Sequence, residues 1–323
     1  MSNKAPVITF YSVSDDRKEA VVIYNLLYML GREKSVVCID LHPAQKLSEL
    51  LLNQHPKEKV YAEKSLNNIN GIFHSFSEGN FQIEPIQLTD KLFLISGNRD
   101  YSRLEDHLAK EWLSAYNAGT KSTNLANLQL SSVLYHVFIK IRLNFEPDLI
   151  IVFTSDYGGY IHRNAVLSSQ YLIATILSDD ILAASKLAKI GASLSTWKEQ
   201  WENILSKISN DTKTDLPAGN FSARGYVLFN GQQGQQQAKA DLYHLNISHK
   251  EKITLDTDDD CVGIVFNYPS IYEMAEQSQK PVFELTPADG AIYAHAAAVR
   301  KVEESYKLLA DKIIHISENK SIC

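Results

Sequence analysis

A chain of 323 residues with 45% hydrophobic and 22% charged residues is long enough to bury a large core and ordinary in composition for a globular protein. Its formal charge of −6 excludes a broadly basic surface of the kind that coats nucleic acid. Three cysteines, Cys38, Cys261 and Cys323, none in a CxxC pair, exclude a disulfide framework and a cysteine zinc site and suit a reducing compartment.

Taken in chain order, short apolar runs alternate with longer helical patterns. Runs at Val7–Tyr11, Ser35–Asp40, Lys91–Ser96, Leu149–Thr154, Tyr171–Leu177, Gly225–Asn230 and Val262–Asn267 read as strands. Several are unbroken apolar stretches, as parallel strands covered on both faces require. Helix patterns fall near 17–31, 43–52, 101–116, 124–143, 180–207, 270–278 and 291–316. The alternation predicts an α/β fold, a doubly wound and mostly parallel sheet flanked by helices, in one domain over 1–323. Residues 100–145 carry two helix patterns with no strand between them and read as a helical elaboration. Ser209–Asn220 reads as a surface loop, and Gly231–Gln237 (GQQGQQQ) as a low-complexity patch after a strand. No apolar run approaches ~20 residues and the first residues lack a signal-peptide core, so the expected location is the cytoplasm, with no membrane partner.

The stretch VITFYSVSDDRKEAVVIYNLLYMLG (7–31) runs from a strand through a turn into a helix. After the helix comes a second strand, VVCIDLHP, and near the C-terminus stands KPVFELTPADGA (280–291). With Ser178-Asp179-Asp180 and GASLSTWKEQW (191–201), this order resembles the ParA/MinD-type family of P-loop ATPases nearly end to end. The resemblance is to a stand-alone ParA-like branch, and it implies a nucleotide-binding fold. The family's phosphate loop, K-G-G-x-G-K-[ST], aligns without a gap between Ser12 and Asn25. Its lysine and paired glycines fall on Ser14, Asp15 and Asp16. Its third glycine, P-loop lysine and magnesium-binding hydroxyl fall on Lys18, Glu19 and Ala20. None of these motif residues is kept. In the Walker B strand Phe153 takes the metal-side position. Asp40 remains where the family arranges magnesium and water, but His42 replaces the aspartate two residues on. Asn230 ends a strand where such proteins contact the adenine.

Glycines let backbone N–H groups converge on phosphate, and aspartates at those positions resist the left-handed geometry and repel a polyanion. Without a ligand the same residues suit a capping box, Asp16 as N-cap and Glu19 three residues on, that satisfies the helix start with carboxylates. The alternative is a displaced anion site using Arg17 or Lys18.

Other groups carry less. The ten histidines, His244 and His249 among them, form no metal pattern, and Asp258-Asp259-Asp260 lacks the glycine and glutamate of a calcium loop. Tyr157, Tyr160, His162 and Arg163 follow the Walker B-like strand in a glycine-hinged segment and form a candidate partner contact, against the reading of an ordinary loop. Arg300, Lys301, Lys307 and Lys312 share a late helix with Glu303, Glu304 and Asp311, a solvated mixed-charge face rather than a DNA footprint. The expected function is that of a catalytically inactive ParA-like protein acting as a homodimer, scaffold or partner-binding component, with no cofactor, metal or nucleic acid. The alternative is a divergent ATP- and magnesium-binding switch with a relocated site; a DNA partitioning factor is a third reading that the charge balance disfavours.

Overall fold

The computed structural model describes residues 5–13, 16–58, 67–98, 102–117, 125–155, 159–180, 182–230 and 261–318. Eight strands form one sheet: β1 (Val7–Ser12), β2 (Val36–Asp40), β3 (Ile86–Gln87), β4 (Leu92–Ile95), β5 (Leu149–Ser155), β6 (Tyr171–Leu177), β7 (Ser222–Asn230) and β8 (Cys261–Phe266). Their order is β3-β4-β2-β5-β1-β6-β7-β8. All pairs are parallel except the short β3, which lies antiparallel on β4. Every residue of β1, β2, β5 and β6 is buried, which is why these strands read as continuous apolar runs instead of alternating ones.

The helices are α1 (Asp16–Gly31), α2 (Lys46–Asn53), α3 (Ile69–Ser77), α4 (Ser102–Asn117), α5 (Leu125–Ser131), α6 (Val133–Phe145), α7 (Tyr160–Ser168), α8 (Ala183–Ser206), α9 (Asn210–Lys213), α10 (Pro269–Ser278) and α11 (Ala294–Glu318). One sheet face, with Ile8, Phe10, Cys38, Ile151 and Phe153, packs on α1, α2, α10 and α11. The opposite face, with Val7, Val37, Ile39, Ile150 and Val152, packs on α3, α4, α6 and α7. The two sets interleave along each strand, as the two-residue period of a pleated strand demands. Helix α8 covers the β6–β7 flank through Leu187, Ile190, Leu194 and Trp197.

Several elements depart from the sequence expectation, the short strand β3 among them. The pattern at 124–143 is two helices, broken at Ser132, whose hydroxyl turns back to the Leu128 carbonyl. Asn164 of α7 closes the break, accepting from Leu134 N–H at 3.1 Å and donating to the Ser131 carbonyl at 2.7 Å. Strand β7 starts at Ser222, three residues early, because Gly225 (φ 107°) carries an irregularity through which the β6–β7 register shifts. Helices α3 and α7 were not expected at all. Asn, Gly and β-branched residues in INGIFHSFS, and the short length of both, weaken their helical signal. Within Ser209–Asn220, α9 adds a short helical turn and the Trp201 indole donates to the Pro217 carbonyl at 2.8 Å.

The order of strands reverses at β1, which lies between β5 and β6. In open α/β sheets ligands bind outside the carboxyl ends of the strands at such a reversal. Ser12, Asp40 and Ser155 end β1, β2 and β5 there.

Candidate functional site at the carboxyl ends of the central strands

At the end of β1 the Ser12 hydroxyl donates to the Glu19 carboxylate on the first turn of α1. Glu19 is fully buried, and so is Ala20 beside it. The inward turn follows from helix geometry: Glu19 and Ile23 lie four residues apart on the face that α1 buries against the sheet. Ser14, Asp15 and the side chain of Asp16, the expected capping-box partner, lie outside the described residues. What Glu19 does show is a carboxylate directed into the sheet and bonded to β1. Arg17 and Lys18 point elsewhere and are exposed, Arg17 paired with Glu276 of α10 and Lys18 3.7 Å from Asp179 beyond β6.

At the end of β2, Asp40 is completely buried. One carboxylate oxygen accepts from the His42 N–H at 3.0 Å. The other accepts from the Ser48 N–H at 2.8 Å and the Ser48 hydroxyl at 2.7 Å. Burial raises its pKa above the usual carboxylate value, and the Ser48 and His42 bonds hold it back. The Ser48 oxygen in turn accepts from Gly97 N–H at 3.0 Å, so one aspartate ties β2, α2 and the end of β4 together. His42 accepts from Ala44 N–H at 3.1 Å through Nδ1, and its ring stacks on Phe153 at 5.5 Å. Phe153 lies opposite Asp40 in register.

Beyond β5, Thr154 and the Nδ1 of His162 share a hydrogen bond. His162 is only 2% exposed. Burial, helped by the neighbouring His42, pushes its pKa down to about 3. Ser155 is also buried, and its hydroxyl has no hydrogen-bond partner among the described residues.

No protein-family model matches the chain, and no curated protein matches it. Solved structures do. A Corynebacterium diphtheriae protein aligns with a TM-score of 0.65 at 15% identity, covering 97% of this chain and 99% of that one. A Borrelia burgdorferi plasmid partition protein bound to AMPPNP aligns with a TM-score of 0.60 at 14% identity, over 97% and 100%. The ATP complex of a Cyanothece McdA variant aligns with a TM-score of 0.61 at 11% identity, over 97% of each chain. The chain has the ParA/MinD-type P-loop ATPase fold.

At the central strand ends the structure brings together Glu19 with Ser12, Asp40 with Phe153 opposite it, and His42 stacked on Phe153, while Ala20 is buried on α1. Lys18 faces Asp179, two residues past the carboxyl end of β6, with its ammonium on a carboxylate. Asn230 ends β7 opposite Phe266, but its side chain lies outside the described residues. Asn25, the other anchor of the alignment, donates to the Val21 carbonyl and accepts from Val282 N–H at 2.8 Å, joining α1 to the KPVFELTPADGA segment. The surface reading of the segment after β5 needs correction. His162 is buried against Thr154 and offers no surface, whereas Arg163 and Tyr160 are half-buried, Arg163 over the Trp112 ring and Tyr160 beside it. Tyr157 lies outside the described residues, as do Gly231–Gln237, His244, His249 and Asp258–Asp260.

Ser12 and Ser48 are functional partners of this site that sequence reasoning passed over as site residues. Serines eight positions beyond an aspartate give no local signal; only the packing of α2 on β2 brings Ser48 to Asp40. The groups described at these strand ends do not fit a magnesium-bound triphosphate. They present a carboxylate where a phosphate would need a cation, an apolar ring on the metal side, and an aspartate whose two oxygens already accept three hydrogen bonds. Among the described residues no group of three or more His, Cys, Asp or Glu could hold a metal ion, and no helix is long and apolar enough to cross a membrane.

Proposed function

We propose that this chain is a ParA-like protein that does not hydrolyse ATP and works by binding, as a homodimer or as a scaffold for a partner protein. The observation that supports this reading is the buried Glu19–Ser12 pair at the start of α1. A phosphate at that helix start would meet the Glu19 carboxyl in place of a cation, and the ionised carboxyl would repel it. Two unit charges ~4 Å apart repel by about 4 kcal/mol at an effective dielectric near ~20, which exceeds the ~1 kcal/mol net of one hydrogen bond. In the proposed state the helix start is satisfied from within the chain, and dimer formation is independent of nucleotide.

Isothermal titration calorimetry of the full chain with ATP and magnesium is expected to show no saturable heat. Saturable binding in the micromolar range would sink this reading in favour of a divergent nucleotide switch. Light scattering should return the same mass with and without ATP and magnesium, and a nucleotide-induced rise in mass would be the contrary result.

A further inference from the structure

Helix α7 follows β5 and is gripped on every side by groups of the same chain. At its N-terminus, the two Glu105 carboxylate oxygens accept from Tyr160 N–H at 2.6 Å and Ile161 N–H at 3.0 Å. These are first-turn donors with no partner inside the helix, and a carboxylate there also meets the positive end of the helix dipole. Glu105 comes from α4, 55 residues earlier. On the next turn Arg163 lies over Trp112 at 4.7 Å, Tyr160 at 4.6 Å and Trp197 at 5.3 Å, and donates to Gln200 of α8 at 2.8 Å. Asn164 bridges the break between α5 and α6, and His162 meets Thr154.

Gly159 explains why the carboxylate fits. Its backbone (φ −67°, ψ 172°) is open to any residue. A Cβ built there would instead lie 2.6 Å and 2.8 Å from the two Glu105 oxygens. The glycine is therefore needed for the approach of Glu105, not for the shape of the chain.

We propose that Glu105 is the positioning residue of a lock on α7, a carboxylate supplied by α4 that fixes this helix against the helical block without any bound ligand. The lock deepens the reading of a protein that does not switch with nucleotide. It stands on its own geometry, and the two can fail separately.

The test is a cycle of Gly159→Ala and Glu105→Ala in the full chain, read by amide hydrogen exchange and tryptophan emission. All three tryptophans of the chain, Trp112, Trp197 and Trp201, lie at the cage, Trp112 stacked on Trp201 at 5.5 Å, so emission reports the seat of α7. Gly159→Ala alone should push the Glu105 carboxylate aside and speed exchange at Tyr160 and Ile161 about tenfold, the equivalent of one to two hydrogen bonds. Tryptophan emission should shift with it. With Glu105→Ala already in place, Gly159→Ala should change neither. Glu105→Gln, which keeps one acceptor, should fall between wild type and Glu105→Ala even where an alanine variant folds poorly. Equal effects of Gly159→Ala in both backgrounds, or none in either, overturn the lock. A change in wild-type exchange over α7 on adding ATP and magnesium would instead overturn the functional reading.

Discussion

Acidification from about pH 7 to about pH 5 should remove about 2 kcal/mol of folding stability through His162 alone, and about 3 kcal/mol should be gone by about pH 4. His162 is buried, and its folded pKa is about 3 against the ordinary value of 6.5. The unfolded chain therefore takes up a proton that the folded chain refuses. Stability from this group is complete above the ordinary value and is lost as pH falls from there towards the folded value. Replacing His162 with Asn keeps a polar atom near the Nδ1 position that meets Thr154 but removes the titration. His162→Asn should be less stable than wild type at neutral pH, and the two stability curves should converge as pH falls. Urea unfolding at a series of pH values measures this; parallel curves would show that His162 protonates freely in the folded protein.

Asp40→Ala should destabilise the fold by about 3 kcal/mol, because three buried donors, the His42 N–H and the Ser48 N–H and hydroxyl, lose their acceptor together. The raised pKa of Asp40 means that burying its charge offsets part of this gain. Asp40→Asn sheds that charge and keeps one acceptor, so it should cost less than Asp40→Ala. Chemical denaturation gives the ranking. Equal losses for the two variants would mean that Asp40 contributes packing rather than hydrogen bonds. In this protein the aspartate holds β2, α2 and the end of β4 together at the carboxyl ends of the strands.

Of the residues expected to contact a partner, His162 is buried and Tyr160 and Arg163 are half-buried. Tyr160, His162 and Arg163 follow a glycine-hinged segment, and in sequence such residues look like a loop. Their seats are set by Glu105, Trp112 and Thr154, which come from 8 to 55 residues away. The aromatic cage was equally hidden: Trp112 and Trp197 are 85 positions apart in the sequence, and only the packing of α4 beside α8 places both over Arg163.

Much of this protein was nonetheless legible from its residues alone. Apolar runs placed seven of the eight strands, and the unbroken ones are those buried on both faces, which leave no room for polar alternation. The order of those runs, with the spacing from Ser12 to Asn25 and the KPVFELTPADGA segment, led to the ParA/MinD-type fold. The chemical identity of Glu19, a carboxylate where the alignment puts the P-loop lysine, was equally plain. Where that carboxylate goes was not. Sequence offered a helix cap at its own first turn; tertiary structure adds a bond from the Ser12 hydroxyl of β1. Local patterns record which residues want to be buried, while hydrogen-bond partners for buried polar groups are decided by whichever elements pack against them. That is why the strands and the fold class could be read from the sequence, and why the partners of Glu19, Asp40 and Glu105 could be read only from the folded chain.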